Sequence, residues 1–198
     1  MKHRFGLKHL LVAGILLLIP ISARGQASLS LGASVPTAPE GIRDAYGTGF
    51  SMWGAFGLSR RLIFSPRLVA GFDVIKTDED FLRDVSEVVG ADVEGGDLSN
   101  IFAGFDVLVD AGPGAVRPYF APGAGLAVLS VGEFTVREIP FENIRSEQAF
   151  ALTAAAGLAF RLAAGPYLFI EARVVHAFTE GDNLTWMPIH AGVFFDFD

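Results

Sequence analysis

Cysteine is absent from the 198 residues of this chain, and its absence excludes three kinds of site. Without a thiol there is no disulfide framework, no thiolate metal site and no cysteine that could carry a lipid. Cysteine usage therefore gives no information on the redox compartment, which has to be inferred from the N-terminal residues.

A long uninterrupted apolar run is also missing. Hydrophobic residues make up 51% of the chain, yet no window reaches the roughly 18–20 apolar residues of a membrane-spanning helix. A shorter apolar run over residues 10–21 follows basic residues and precedes small ones, an order typical of a cleaved export signal. We predict a signal peptide over residues 1–25 and a mature domain over residues 26–198. The alternative is an uncleaved anchor helix, which the short apolar core and Pro20 disfavour.

Positive charge is scarce in the predicted mature domain. Residues 1–25 hold four basic residues and no acidic one, so residues 26–198 keep 11 basic residues against 22 acidic ones and a formal charge of −11. Only one lysine, Lys76, remains. This balance argues against nucleic acid as a partner. The apolar segments are almost free of charge, whereas a soluble surface usually carries roughly a quarter to a third of charged residues.

An alternation with a period of two residues runs through most of the mature domain. It is clearest over residues 150–161, where the larger apolar side chains share one parity and small residues, with Arg161, share the other. One apolar face and one face of small residues predict a strand of a narrow membrane barrel. The alanine-rich residues 149–164 would also suit a helix. They are too few to span a membrane, however, and the strict alternation favours a strand.

Eight segments alternate in this way, and the connections between them are long and short in turn. The predicted strands are 28–35, 50–58, 62–75, 101–110, 116–129, 150–161, 167–176 and 186–197. Short periplasmic turns and longer outer loops are how outer-membrane barrels are built, and an even strand number returns both ends to the periplasm. The sequence therefore predicts an all-β fold, an eight-stranded antiparallel up-and-down transmembrane β-barrel.

The longest connection, residues 76–98, breaks the alternation. Its apolar residues recur at helical spacing, Thr77 and Asp80 resemble a capping pair and Gly90 is a suitable stop, which predicts a short amphipathic helix. The same loop holds eight acidic residues that could bind a divalent cation. It lacks the ligand spacing of a dedicated calcium loop, so a solvated acidic surface is the favoured interpretation.

Several charged residues fall on the parity that faces the barrel lumen. Buried charges are costly unless they are paired. We therefore predict a structural charge network in the lumen, made by Arg161, Glu171, Arg173, Asp73, Asp106 and His190. A narrow gated pore or a proton path is the alternative, because lumen polarity tunes conduction. Side chains fill the interior of an eight-stranded barrel, which argues against an open diffusion pore.

Aromatic residues near the strand ends are expected to form girdles at the membrane interfaces. We place Trp186 in the outer girdle, and Phe160, Phe195 and Phe197 toward the periplasm. Trp53 lies in mid-strand on the lumen parity and is expected to pack inside.

No pattern in the sequence indicates a catalytic, cofactor or metal site. Some barrels of this size act on lipid A or phospholipid, which needs a nucleophile beside a base. His176 falls on the lipid parity, and neither it nor His190 has a serine two residues away. A different alternative is a soluble lipocalin-like barrel with an apolar ligand inside. That fold would turn Leu158 and Leu168 toward a ligand cavity.

Several short motifs carry a family resemblance. They are Arg117 to Phe120, Pro122 to Leu126, Ala156 to Leu158, Tyr167 to Arg173, Trp186 to Ile189, and Gly192 with Val193. Over essentially the whole mature chain they resemble the outer membrane protein β-barrel domain family, the OmpA/OmpX-like eight-stranded barrels. Such barrels commonly finish on an aromatic residue, whereas here Asp198 follows Phe197.

The resemblance implies a non-enzymatic protein of the Gram-negative cell outer membrane. Its strands would contact outer-membrane lipid and lipopolysaccharide, and the barrel-assembly machinery would fold it. Its long extracellular loops would serve an anchoring, structural or surface-interaction role with a partner that the sequence does not identify.

Overall fold

A computed structural model describes residues 25–58, 64–110, 114–137, 139–141, 146–162 and 166–197, which form a closed barrel with ordered loops. Nearly all of the predicted signal peptide, the predicted turn at 59–61 and Asp198 lie outside the described residues. In chain order the elements are β1 Gly25–Ala38, α1 Glu40–Ala45, β2 Gly49–Leu58, β3 Phe64–Ile75, α2 Glu79–Val89, β4 Val93–Gly95, β5 Leu98–Asp110, β6 Val116–Val131, β7 Phe134–Val136, β8 Ile139–Phe141, β9 Ser146–Arg161, β10 Tyr167–Phe178 and β11 Leu184–Phe197.

Eight strands close the barrel in the order β1, β11, β10, β9, β6, β5, β3 and β2, with β2 paired back to β1. Every neighbouring pair is antiparallel. The predicted fold class is therefore confirmed. The alanine-rich segment is the strand β9, so the helical alternative for it is wrong.

The barrel has a turn end, where Gly25 pairs with Phe197, and a loop end, which carries α1, α2 and the three short strands. Several strands extend further toward the loop end than the alternation predicted. β5 begins at Leu98 and β9 begins at Ser146. Pairing with β6 continues the backbone ladder of both strands beyond their apolar residues.

The exterior of the barrel is apolar. Leu29, Phe105 and Leu126 expose between 55% and 60% of their surface, while alternate residues are buried in the lumen. Large apolar side chains exposed around a closed sheet suit a lipid-facing surface. Leu158 and Leu168, which a lipocalin-like barrel would bury against a ligand, also point outward. The lipocalin-like alternative is therefore wrong.

Two apolar clusters fill the lumen toward its two ends. The loop-end cluster includes Ile75, Phe102 and Trp186, and Ile42 of α1 and Tyr46 pack against it. The turn-end cluster consists of Leu108, Tyr119, Ala121, Ala155, Ala159, Tyr167, Phe169 and Phe194. Polar side chains occupy the lumen between and beside these clusters.

Helix α2 confirms the predicted amphipathic helix, with one correction at its start. The cap is Asp78 rather than Thr77, because the Asp78 side chain accepts the backbone N–H groups of Asp80 at 2.9 Å and Phe81 at 3.3 Å. Gly90 ends the helix in the left-handed region, with φ of 67°, as predicted. Neither helix in the described part of the chain is long and apolar enough to cross a membrane.

We expect Asp78→Ala to destabilise α2 locally by about 1 kcal/mol, because two N–H groups lose their acceptor. Amide hydrogen exchange in residues 79–89 should become faster, and the barrel strands should stay protected. Glu79→Ala is the control, since it removes an acidic charge from the same turn without removing the cap. Equal acceleration in both variants would contradict the capping role.

The three short strands form a separate small sheet in the order β4, β7, β8, which the sequence did not predict. It joins the loop after β3 to the loop after β6. The Ser86 hydroxyl accepts the Val93 N–H at 3.0 Å and donates to the Leu82 carbonyl at 2.7 Å, which ties the sheet to α2. The loop end is therefore an ordered structure rather than a set of independent loops.

Candidate functional site

The sheet register brings polar lumen residues side by side. Direct Cα partners on neighbouring strands are Arg67 with Asp106, Ser51 with Asp73, and Glu171 with His190. Direct partners on one face of a sheet have Cβ atoms about 4.5–5.5 Å apart. The alternation of the strands and this register together assemble the site in the middle of the lumen.

One half of the site, called here the arginine cluster, comprises Arg67, Asp106, Arg173, Glu171 and Tyr119. Arg67 donates to both carboxylate oxygens of Asp106, through Nε at 2.7 Å and Nη2 at 2.8 Å. Arg173 Nη2 donates to Asp106 Oδ2 at 3.0 Å and to Glu171 Oε1 at 3.0 Å. The Tyr119 hydroxyl donates to Glu171 Oε2 at 3.0 Å. Two guanidinium groups thus balance two carboxylates, and this pairing allows all four to be buried.

The other half, called here the Asp73 cluster, comprises Asp73, Ser51, His190, Trp53 and Trp186. Asp73 Oδ1 accepts Ser51 Oγ at 2.5 Å and Trp53 Nε1 at 3.4 Å, and Oδ2 accepts Trp186 Nε1 at 3.0 Å. Ser51 Oγ also lies 3.0 Å from His190 Nε2. The donors to Asp73 are therefore neutral groups, in contrast to the donors to Asp106.

Two contacts connect the clusters. The Arg173 guanidinium lies over the Trp53 ring, 4.8 Å from its centroid, in a cation–π arrangement. His190 Nδ1 lies 4.0 Å from Glu171 Oε1, which is too far for a hydrogen bond. Polar contacts therefore run from Asp73 on one side of the lumen to Asp106 on the other.

Five of the six residues predicted for the charge network lie in these clusters. They are Asp73, Asp106, Glu171, Arg173 and His190. Arg161 is a correction: it has the lumen parity, but it is the last residue of β9 and its side chain is exposed at the turn end. Parity alone does not bury a residue at the rim of a barrel.

Arg67, Tyr119 and Ser51 were missed by the sequence analysis. Arg67 has the same parity as Asp73 in β3, so the period-two alternation would have placed it in the lumen. Trp186 is a second correction: it was assigned to the outer girdle, but it is fully buried in the lumen. Its parity in β11 is that of His190, and its indole N–H needs the Asp73 carboxylate as an acceptor.

A serine, a histidine and a carboxylate come close together here, as in a catalytic triad of nucleophile, base and acid: Ser51, His190 and Glu171. The geometry does not support catalysis. Ser51 Oγ lies 2.5 Å from Asp73 Oδ1 as well as beside the histidine, and Glu171 is bound to Arg173. All three side chains are buried. The cavity lined in part by Glu171 and Arg173 measures about 10 Å³, roughly the space of one water molecule. This cavity has no room for a lipid substrate beside Glu171.

His176, the other histidine considered for catalysis, lies on the exterior. Its Nδ1 is 2.7 Å from Thr185 Oγ1, and its ring packs edge-on against Phe178 with centroids 4.7 Å apart. Neither neighbour is a nucleophile paired with an acid. The described surroundings of His176 therefore contain no catalytic arrangement.

The acidic loop makes local structural contacts. Asp97 contacts Lys76 at 3.6 Å and accepts the Thr77 N–H at 3.2 Å. Burial and the nearby Asp97 carboxylate raise the pKa of Tyr46. Within the described ranges, no three His, Asp or Glu side chains are grouped so that they could hold a metal ion.

No family model matches this chain, and no curated protein matches it. Solved structures do match. Neisserial surface protein A superposes with a TM-score of 0.57 at 15% identity, over 87% of this chain and 97% of that chain. A major outer membrane protein from Thermus thermophilus gives 0.54 at 17% identity, over 86% and 99%. The outer membrane protein OprG from Pseudomonas aeruginosa gives 0.51 at 12% identity, over 89% and 98%.

These similarities concern the fold. The chain has the closed eight-stranded barrel of outer-membrane proteins, so the predicted resemblance to OmpA/OmpX-like barrels is confirmed at the level of architecture. Two of these neighbours, the Thermus thermophilus protein and OprG, are outer membrane proteins by their descriptions.

Proposed function

We propose that this chain is a non-enzymatic outer-membrane β-barrel protein, exported by residues 1–25, whose strands anchor an ordered loop structure at the cell surface. The observation that supports it is an apolar exterior combined with a lumen filled by side chains. Such a barrel can present its loops to the surface layer or to an extracellular partner. The cavity beside Glu171 and Arg173 in the lumen has room for about one water molecule.

The compartment is tested by fractionation and gel mobility. We expect the protein in the outer-membrane fraction, with a band that shifts when the sample is boiled, because a closed barrel resists detergent until it is heated. Recovery from the soluble periplasm without detergent would overturn the proposal. Depletion of the barrel-assembly machinery should remove the unboiled, faster band if that machinery folds the chain.

In planar bilayers we expect no conductance steps from the wild-type protein. Two apolar clusters and a paired charge network fill the lumen, and eight strands leave no spare interior. A general porin prepared in the same way is the control for the assay. Reproducible steps from the wild type would contradict this prediction and would support a narrow gated pore instead.

The loop end is the surface proposed for outer-membrane interactions. Val88 of α2 exposes 89% and Ile139 of β8 exposes 60% of their surface there, and the acidic residues of the first turn of α2 are exposed as well. Replacing residues 79–89 by a glycine–serine linker should leave the heat-dependent band shift intact and abolish the surface interaction. Loss of the band shift would show that the loop supports the barrel rather than a partner.

Contacts with outer-membrane lipid and lipopolysaccharide follow from the proposed location, and no chemistry on them is proposed. Replacing His176 and His190 together should leave the lipid A and phospholipid profile unchanged. A changed profile would favour the lipid-modifying enzyme over the anchor.

A further inference from the structure

The Asp73 carboxylate is fully buried and has no positively charged partner among the described residues. The two lumen arginines are bound to the two carboxylates of the arginine cluster. Asp73 accepts hydrogen bonds from one hydroxyl and two indole N–H groups instead. An ionised carboxylate without a counter-charge is strongly disfavoured in such surroundings. The lumen therefore needs one more positive charge than its arginines supply.

Polar groups near Asp73 have unused hydrogen-bonding capacity. The side-chain amide of Asn100 and Nδ1 of His190 are buried without a partner in the described structure. Asn100 is the direct Cα partner of Asp73 across β3 and β5. The Asn100 amide can turn to match a change in protonation without losing a hydrogen bond, and His190 Nδ1 can carry a proton while Nε2 keeps its contact with Ser51 Oγ.

Ser51 connects Asp73 to His190. Its Oγ lies 2.5 Å from Asp73 Oδ1, in the range of a charge-assisted O–H···O bond, and 3.0 Å from His190 Nε2. A hydroxyl in this position donates to one neighbour and accepts from the other. The same three groups therefore stay connected whether a proton resides on Asp73 or on His190. We propose that the folded barrel binds one proton here, shared between Asp73 and His190 through Ser51.

One added proton neutralises the net charge of the groups around this site. β10 presents Glu171 and Arg173 to His190, and β2 presents Ser51 and Trp53. The arginine cluster is balanced in itself, with two positive and two negative groups. One shared proton makes the whole described network neutral, and its loss leaves a net charge of −1 inside the barrel.

Proton counting gives the expected pH dependence. In the unfolded chain aspartate titrates near pH 3.9 and histidine near pH 6.5, so this pair holds about one proton at pH 5–6 and none above about pH 7. The folded barrel holds one proton throughout. Above pH 7 the folded state therefore binds one more proton than the unfolded state, and stability falls as pH rises.

The test is equilibrium unfolding of the full protein in phosphatidylcholine vesicles from pH 5 to 9. The unfolding constant of the wild type should rise about tenfold per pH unit relative to Asp73→Asn above pH 7. In His190→Gln the unfolding constant should begin to rise near pH 5. In the unfolded wild type the imidazole takes up a proton at low pH, which offsets the proton held in the folded barrel, and the unfolded variant has no such imidazole. The two tryptophans of the chain, Trp53 and Trp186, both contact Asp73 and report any loss of the proton by their emission.

Asp182→Asn, in an exposed loop, is the control and should follow the wild type. Parallel pH profiles for the wild type and Asp73→Asn above pH 7, with constant tryptophan emission, would overturn the proposal. A wild-type profile that changes when sodium replaces choline at constant ionic strength would also overturn it, since a metal cation would then supply the charge. If Asp73→Asn does not fold, the unfolding constant of His190→Gln should itself rise about tenfold per pH unit from about pH 5 to 9, and a flat profile would reject the bound proton.

Discussion

Asp106→Asn is expected to destabilise the barrel by about 3–5 kcal/mol, the usual cost of removing one partner from a buried ion pair. Asp106 is fully buried and receives both Arg67 and Arg173. An asparagine keeps the shape and one acceptor oxygen, but it removes the negative charge between two guanidinium groups. Glu171 alone then faces both positive charges, and the lumen carries one uncompensated charge.

Asp73→Asn is the matched control for this prediction. It makes the same chemical change at a carboxylate that is equally buried, but all described donors to Asp73 are neutral. We expect a change below about 1 kcal/mol at pH 7, because an amide oxygen can still accept from a hydroxyl or an indole. Denaturant midpoints in vesicles, with slopes checked for equality, compare the two variants. Equal losses would show that the two carboxylates are held by similar charge interactions.

The period-two alternation was sufficient to predict the barrel and most of its lumen. A residue's parity gives its face, so Asp73, Asp106, Glu171, Arg173 and His190 could be assigned to the lumen without any knowledge of pairing. Their partners depend on the register between strands that are distant in sequence, and this register is set by contacts around the closed barrel. The same parity rule places Arg67 on the lumen face, although the predicted charge network did not include it.

The ends of strands were the least predictable part of the site. Arg161 and Trp186 both lie near strand ends on the lumen parity, yet one is exposed and the other is fully buried. The difference comes from what covers each end. Apolar residues including Ile42 and Tyr46 pack over the loop-end cluster that contains Trp186. The small sheet of the loop end depends in the same way on pairing between two loops, Val93–Gly95 with Phe134–Val136, whose three-residue strands are too short to show a period.

Gly71→Ala is expected to destabilise the barrel by about 2–3 kcal/mol, in the upper part of the range for overpacked cores. Gly71 is the direct Cα partner of Trp53, and the Trp53 indole occupies the space that a Cβ at position 71 would need. The ring has little freedom to retreat, because Phe102 stacks on it at 5.3 Å and Arg173 lies over it at 4.8 Å. A methyl group therefore displaces the residue that joins the two polar clusters.

Gly54→Ala separates this effect from the general effect of replacing a strand glycine. Gly54 is next to Trp53 on the exterior parity, and the nearest atom to its added Cβ would be the Ser28 carbonyl oxygen at an ordinary 3.6 Å. This variant should be neutral or more stable by about 0.4–1 kcal/mol, because alanine restricts the unfolded chain. In Gly71→Ala, a lower denaturant midpoint should accompany a change in near-ultraviolet circular dichroism, since the tryptophan moves. A lower midpoint with an unchanged tryptophan spectrum would mean that the backbone, and not the Trp53 ring, absorbs the added methyl group.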